Sequence, residues 1–339
     1  DFQGTADGSL LLEPASTNKF LYSNDFSEWI SASQSLLIPN QSGVYQSTTA
    51  WKFSNATSTS SLYVNNTDSG VQTMSVYVKK NSNNGIRLFS FGNTNSSAFF
   101  NLKDGEVYGT PINAISAKVT DVGNDWFRCE MTFDHTNTRC DLYVTNNGSV
   151  QVKGEVVIQL AQLEALPYAT SYIPTDGTIA TRAAEACDGA GDVTTFNSAE
   201  GTLFGDITAI ANNSNFKLIG ISNGTSLNRA YIGYSIVSNK ITAALNLDGV
   251  AQASISHDID DITTSYKVAF TYKNNDFNLW VNGSKVGSDT SGSTFPLGTI
   301  NTAVFSSGSG SSIFYGKTKQ LQVFKTALTD AELQTLTTL

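Results

Sequence analysis

The chain is short of cysteine, histidine and charge for its length, and each shortage removes a class of function. Its 339 residues hold three cysteines, Cys129, Cys140 and Cys187, an odd and sparse set with no C-x-x-C pair, so no disulfide framework is encoded. Cys129 alternates in phase with Phe127, Met131 and Phe133, and Cys140 with Leu142 and Val144. Both are expected as small buried hydrophobes; a bridge between them stays open, because they flank one expected hairpin. The two histidines, His135 and His257, lie in no metal-type spacing such as H-E-x-x-H and are expected in exposed loops. Charged residues make up 14%, against about 25% in an average soluble protein. Lys and Arg total 20 against 29 Asp and Glu, a net charge of −9, with no basic run longer than Lys79-Lys80. A phosphate backbone demands clustered cations, so neither nucleic acid nor an anionic membrane surface is an expected partner. No apolar run approaches the roughly 20 residues of a membrane span, and no basic-then-apolar leader opens the chain. It begins at Asp1 without Met, as a processed or truncated piece would.

What the sequence does have is period-2 alternation. Met74–Lys79, Trp126–Phe133, Leu142–Thr145, Val156–Gln162, Tyr266–Lys273 and Phe277–Asn282 read as strands, rich in Val, Tyr, Phe and Thr. Asn84-Gly85, Asp104-Gly105, Asn147-Gly148, Asn223-Gly224, Asp248-Gly249 and Asn282-Gly283 supply the turns, because these pairs tolerate the positive φ of tight hairpins. The one helix expected runs from Asp330 to about Thr337, with Thr329 and Glu332 as a capping box and Leu328 and Leu333 as a staple. Many short strands with regular turns predict an all-β chain of two β-sandwich (jelly-roll) domains with a short C-terminal helix. The pattern breaks between Pro174 and Glu200, which places the domains at residues 1–180 and 181–339.

Aromatic side chains on polar faces are the candidates for ligand contact. Trp126 is in phase with Arg128 and Glu130, opposite Phe127 and Cys129; Trp280 is in phase with Asn278 and Asn282, opposite Phe277, Leu279 and Val281. Both rings are therefore expected to face outward, and Trp280, Asn278, Asn282, Trp126 and Arg128 form the expected glycan site. Trp29, Tyr45, Trp51 and Tyr63 are further aromatic candidates in the less regular early part. No catalytic set is expected. A retaining glycosidase needs two carboxylates about 5–5.5 Å apart, which on one strand means residues i and i+2; the expected strands carry no such acidic pair, and a pair from separate strands stays open.

Several stretches resemble a known domain. Leu10-Leu11-Leu12-Glu13-Pro14-Ala15-Ser16-Thr17-Asn18 followed by Tyr22–Trp29, Ser75-Val76-Tyr77-Val78-Lys79, Asp125-Trp126-Phe127-Arg128, and Ala161-Gln162-Leu163-Glu164 with Ala169–Thr175 resemble a domain common in tailed-phage and prophage virion proteins. That domain is similar to carbohydrate-binding-module jelly rolls. Glu200–Phe204, Lys267–Tyr272, Leu279–Gly283 and Leu328–Leu333 resemble laminin-G-like, concanavalin A-like sandwiches. The resemblance implies a non-enzymatic tail, fibre or capsid-decoration protein on a virion surface, or otherwise extracellular. Its implied partners are a cell-surface or extracellular glycan, other virion proteins and further copies of the chain, as in a trimer. A polysaccharide lyase or depolymerase and a secreted bacterial carbohydrate-binding module or adhesin are the alternatives. Such modules often carry Ca2+, for which Asp7, Asp25, Asp176 and Asp258, with Asp260 and Asp261, are the loop acids available.

Overall fold

The computed structural model describes residues 8–32, 36–146 and 150–339, so Asp7 and the Asn147-Gly148 turn lie outside the described residues. The chain divides into two compact units, Ala15–Ala183 and a second that joins Ala184–Leu339 to the N-terminal segment ending at Pro14. Both are antiparallel β-sandwiches.

In the Ala15–Ala183 unit a front sheet runs in the order Glu106–Ile112, Ser96–Asn101, Gly85–Gly92, Asn137–Asn146, Ser61–Asp68, Ile30–Ala32. A back sheet runs Ser116–Gly123, Trp126–Asp134, Val71–Lys80, Gly154–Glu164, Ala50–Asn55, Leu36–Gln41. Strand alternation sends every second side chain inward. The shared core accordingly holds Met74, Val76 and Val78, Phe127, Cys129 and Met131 from the back sheet, and Ile86, Leu88, Cys140 and Leu142 from the front. Cys129 and Cys140 are both fully buried and free. No bridge joins them, both thiols being free; Trp126–Asp134 and Asn137–Asn146 belong to different sheets, so the turn between them is a crossover and not the expected hairpin. Burial pushes the Cys140 thiol up to about 12 and the Cys129 thiol in the same direction, which leaves both unreactive.

The stretches that resemble the virion domain form a buried polar clamp along the edge of this core. The Glu164 carboxylate accepts from the Ser16 hydroxyl at 2.6 Å, the Thr170 amide at 2.9 Å and the Thr170 hydroxyl. Gln162 accepts from the Ile173 amide at 2.7 Å, and Asn18 accepts from the Leu163 amide at 3.2 Å. A buried polar group without a partner costs free energy, so these residues specify one path for the 166–175 segment.

In the second unit one sheet orders Leu10–Leu12, Gly316–Phe324, Glu200–Ala209, Tyr266–Lys273, Asp276–Val281 and Ser284–Asp289. The other orders Asp188–Ala190, Thr302–Val304, Lys217–Ser222, Arg229–Tyr234, Lys240–Leu247 and Val250–Asp258. Leu203, Ile219, Ile232, Phe270 and Leu279 are among the residues buried between them. The Leu10–Leu12 strand thus pairs with Gly316–Phe324 in this unit, although it opens the chain. The Asn282-Gly283 turn has φ of 47° and 81°, the two positive values that a type I′ hairpin requires. The Asp330–Thr337 helix forms with the expected capping box on Thr329 and Glu332.

Candidate functional site

The two tryptophans expected to face outward do lie opposite the core, yet neither is open to a ligand. Trp280 is 6% exposed, packed with Phe204, Ala269 and Leu333, and with Leu328 and Leu336 against them. The C-terminal helix covers the ring through Leu333, which lies far downstream in the chain, where alternation along one strand cannot reveal it. The flanking asparagines are also occupied: Asn278 donates to Asp276 at 2.8 Å, and Asn282 accepts from the Lys267 amide at 2.9 Å within its turn. Trp126 is 2% exposed in a second small cluster with Tyr77, Val44 and Ala50. Arg128 donates to the Thr170 carbonyl at 2.6 Å and to Ser75 at 3.0 Å, which ties the 166–175 segment to the back sheet. Of the early aromatics, Trp29 is buried in the main core and Trp51 packs against it, each donating its indole N–H to a backbone carbonyl, whereas Tyr45 is exposed.

The accessible aromatic surface is on the front sheet. Alternation that buries Ile86 and Leu88 turns Arg87, Phe89 and Phe91 to the other side, and alternation that buries Cys140 and Leu142 turns Arg139, Asp141 and Tyr143 there too. Cross-strand register then aligns three rows. Tyr108, Phe99, Arg87 and Tyr143 stand side by side across four strands. Ser97, Phe89, Asp141, Tyr63 and Ile30 form the next, and Phe91, Arg139 and Asn65 the third. Tyr108 is 45% exposed; Tyr63, Arg87, Phe89, Phe91, Phe99 and Arg139 are half-buried.

Arginine and ring alternate on this face. The Arg139 guanidinium lies 4.1 Å from the Phe91 centroid and 4.5 Å from that of Tyr63, while its Nε donates to Asp141 at 2.7 Å. The Arg87 guanidinium lies 4.3 Å from Phe89, 5.0 Å from Phe99 and 5.6 Å from Tyr143. At these distances a guanidinium is attracted to the ring faces. Asp141 is fully buried and also accepts from the Tyr143 hydroxyl at 3.1 Å. Burial raises its carboxyl pKa, against the pull of Arg139. Of this set the sequence reading named only Tyr63. The signal was present as Arg-x-Phe-x-Phe and Arg-x-Asp-x-Tyr, but only the strand pairing brings the two together.

The remaining candidates fall elsewhere. His135 is buried, not in an open turn: its ring nitrogens lie 3.0 Å from Ser90 and 3.2 Å from Ser96, and it stacks beside Phe133. The turn is tight enough to fold the imidazole back onto the sheet end. His257 belongs to the Val250–Asp258 strand instead of a loop. Asp25 caps the short Phe26–Glu28 helix, Asp176 bridges to Tyr22, and Asp258 pairs with Lys240 at 2.5 Å. Among the described residues no three His, Cys, Asp or Glu side chains are grouped so as to hold a metal ion. No G-x-S-x-G elbow is expected from the sequence, yet Gly220-Ile221-Ser222-Asn223-Gly224 has the G-x-S-x-G form. A nucleophile elbow needs a strand-to-helix turn. Here Ser222 ends one strand of an antiparallel pair, is fully buried, and accepts from the Gly224 amide at 3.1 Å.

A family model described as the concanavalin A-like lectin/glucanases superfamily matches residues 195–334. That stretch lies inside the second unit. No curated protein matches the chain. Among solved structures, the Ruminococcus gnavus sialidase CBM40 bound to α2,3-sialyllactose is 19% identical at a TM-score of 0.37, over 45% of this chain and 96% of that one. A heptameric SAP-like pentraxin from Limulus polyphemus is 17% identical at a TM-score of 0.35, over 44% and 73%. Mouse laminin α1 domains LG4-5 are 11% identical at a TM-score of 0.28, over 94% and 90%. Among the described residues no helix is long and apolar enough to cross a membrane.

Proposed function

We propose that this chain is a non-catalytic glycan-binding protein whose ligand lies on the outer face of the front sheet. The observation that carries this reading is the half-exposed patch of Phe89, Phe91, Phe99 and Tyr63 with Arg87 and Arg139 set among the rings. The C–H face of a sugar stacks on an aromatic ring, and its hydroxyls take up guanidinium donors; a sheet face that alternates the two offers both at once. Stacking of nucleic-acid bases on such rings is worth roughly 1–3 kcal/mol each, and a sugar face has less polarisable surface. Support also comes from the family matched in the second unit, whose description takes in lectins as well as glucanases. A lyase reading would call for Tyr, His and Arg converging in one cleft. His135 instead sits with Ser90 and Ser96, and Ser90 alternates to the side opposite Phe89 and Phe91.

The setting we propose is extracellular: a virion surface, on the strength of the stretches resembling phage tail, fibre and decoration proteins, or a secreted bacterial module or adhesin. The first calls for further virion proteins or copies of the chain as partners. A glycan array on the purified chain, paired with assays for new reducing ends and for unsaturated products, tests the function. Binding without turnover, lost at least about tenfold in Phe89→Ala (about 1.4 kcal/mol), is the expected result. Release of either product overturns it, as does binding that Phe89→Ala leaves intact.

A further inference from the structure

We infer that the glycan taken by this face is acidic, its carboxylate or sulfate group held by Arg87; this rests on the glycan-binding reading above. The two arginines of the face differ in how their charge is met. Arg139 is joined to Asp141 at 2.7 Å, so its cation is answered within the fold. Arg87 is surrounded by the ring faces of Phe89, Phe99 and Tyr143, and its Nε has no hydrogen-bond partner. Among the described residues the carboxylate that acts on it electrostatically is Asp141, whose two oxygens are engaged by Arg139 and the Tyr143 hydroxyl. A half-buried guanidinium without an acid of its own gains from an anion brought to it. Charge-assisted bonds are about twice as strong as neutral ones, and the planar fork matches a carboxylate or sulfate at two points. The chain as a whole carries −9, so long-range attraction does not account for an acidic ligand; the selectivity has to arise at this guanidinium.

The test uses the full chain and two matched probe pairs, read by calorimetry: oligogalacturonates against their methyl esters, and sulfated against unsulfated galactan oligomers. The wild-type chain is expected to prefer the charged member of one pair by at least about tenfold, and which pair responds tells carboxylate from sulfate. In Arg87→Gln that preference should fall to within about twofold of parity, with Arg87→Lys between, since it keeps the charge and loses the fork. Melting curves confirm that each variant is folded, and the wild-type ratio decides the matter even where Arg87→Gln does not fold. Equal binding of charged and neutral members overturns the inference and leaves the glycan reading standing. A preference that survives folded Arg87→Gln overturns it as well. A chain that binds neither these probes nor any glycan on the array removes both.

Discussion

The two outer sheet faces of the Ala15–Ala183 unit start from similar materials. On the back sheet Trp126, Tyr77 and Arg128 point away from the core, and Arg128 lies 5.5 Å from the Tyr77 ring. On the front sheet Arg87 and Arg139 stand among five rings in the same manner. The back face is roofed: Val44 packs on Trp126 and Tyr77, and the 166–175 segment takes the donors of Arg128, Thr73 and Thr132 through its carbonyls. The front face keeps Tyr63, Phe89, Phe91 and Phe99 half exposed. The second unit repeats the roofed case, with the C-terminal helix laid over Trp280. An aromatic residue opposite a core is thus either the seat of a covering segment or a surface for something outside the chain. Composition does not separate the two.

The largest effect that could break this comparison is on stability. Trp126→Ala and Trp280→Ala each remove a covered ring and should each cost about 3–5 kcal/mol, seen as a marked fall in the melting temperature of the unit concerned. A small shift in either would show that the ring is open after all and return it to the ligand candidates. Phe91→Ala on the front face should behave in the opposite way. Binding on the glycan array is expected to weaken about tenfold, or 1.4 kcal/mol, for a smaller loss of melting temperature than in the tryptophan variants.

Removing the Thr329 hydroxyl sharpens the roofed case. Thr329→Ala breaks the capping box on the helix above Trp280 and should cost about 1 kcal/mol. Near-ultraviolet circular dichroism, sensitive to the Trp280 environment, should change on warming before the rest of the second unit melts. Simultaneous loss would mean that the helix does not loosen separately.

The smallest effect concerns pH. Burial holds the His135 imidazole below its ordinary value, outweighing the pull of Asp134. The neutral ring therefore belongs to the fold, and its contribution is complete above the unfolded value of about 6.5. As pH falls from there through the lowered folded value, the unfolded chain takes up a proton that the folded chain resists, and stability is lost. Melting temperatures of the first unit between about pH 5 and 7.5 should decline on acidification, and less so in His135→Gln. The comparison isolates the ring from Glu130, whose carboxyl burial raises and which therefore acts in the opposite sense. Parallel curves for the two proteins would refute the assignment.

Much of the architecture was legible because it rests on local rules. Alternation placed Phe127, Cys129 and Met131 on the core side, and Tyr266–Lys273 emerged as a strand with the same bounds. Thr329 and Glu332 announced the Asp330–Thr337 helix. The candidate site was less legible. Trp280 and Trp126 were placed on the correct side of their strands, but exposure was inferred from polar neighbours whose own bonds turn inward to the fold. His135 was read as a turn residue, and its two serine partners, 45 and 39 residues away along the chain, carry no sequence signal.

The sequence by itself determined which side of each strand is apolar, where the chain turns and that its architecture is all-β, because side-chain alternation, turn chemistry and capping act over a few residues. Only the tertiary structure decided which polar-facing aromatics are covered and which are open. That outcome depends on register between strands far apart in the chain, such as Arg87 beside Tyr143, and on where distant segments such as the C-terminal helix come to rest. Burial of apolar area is non-directional and blind to sequence distance, so no local pattern encodes it.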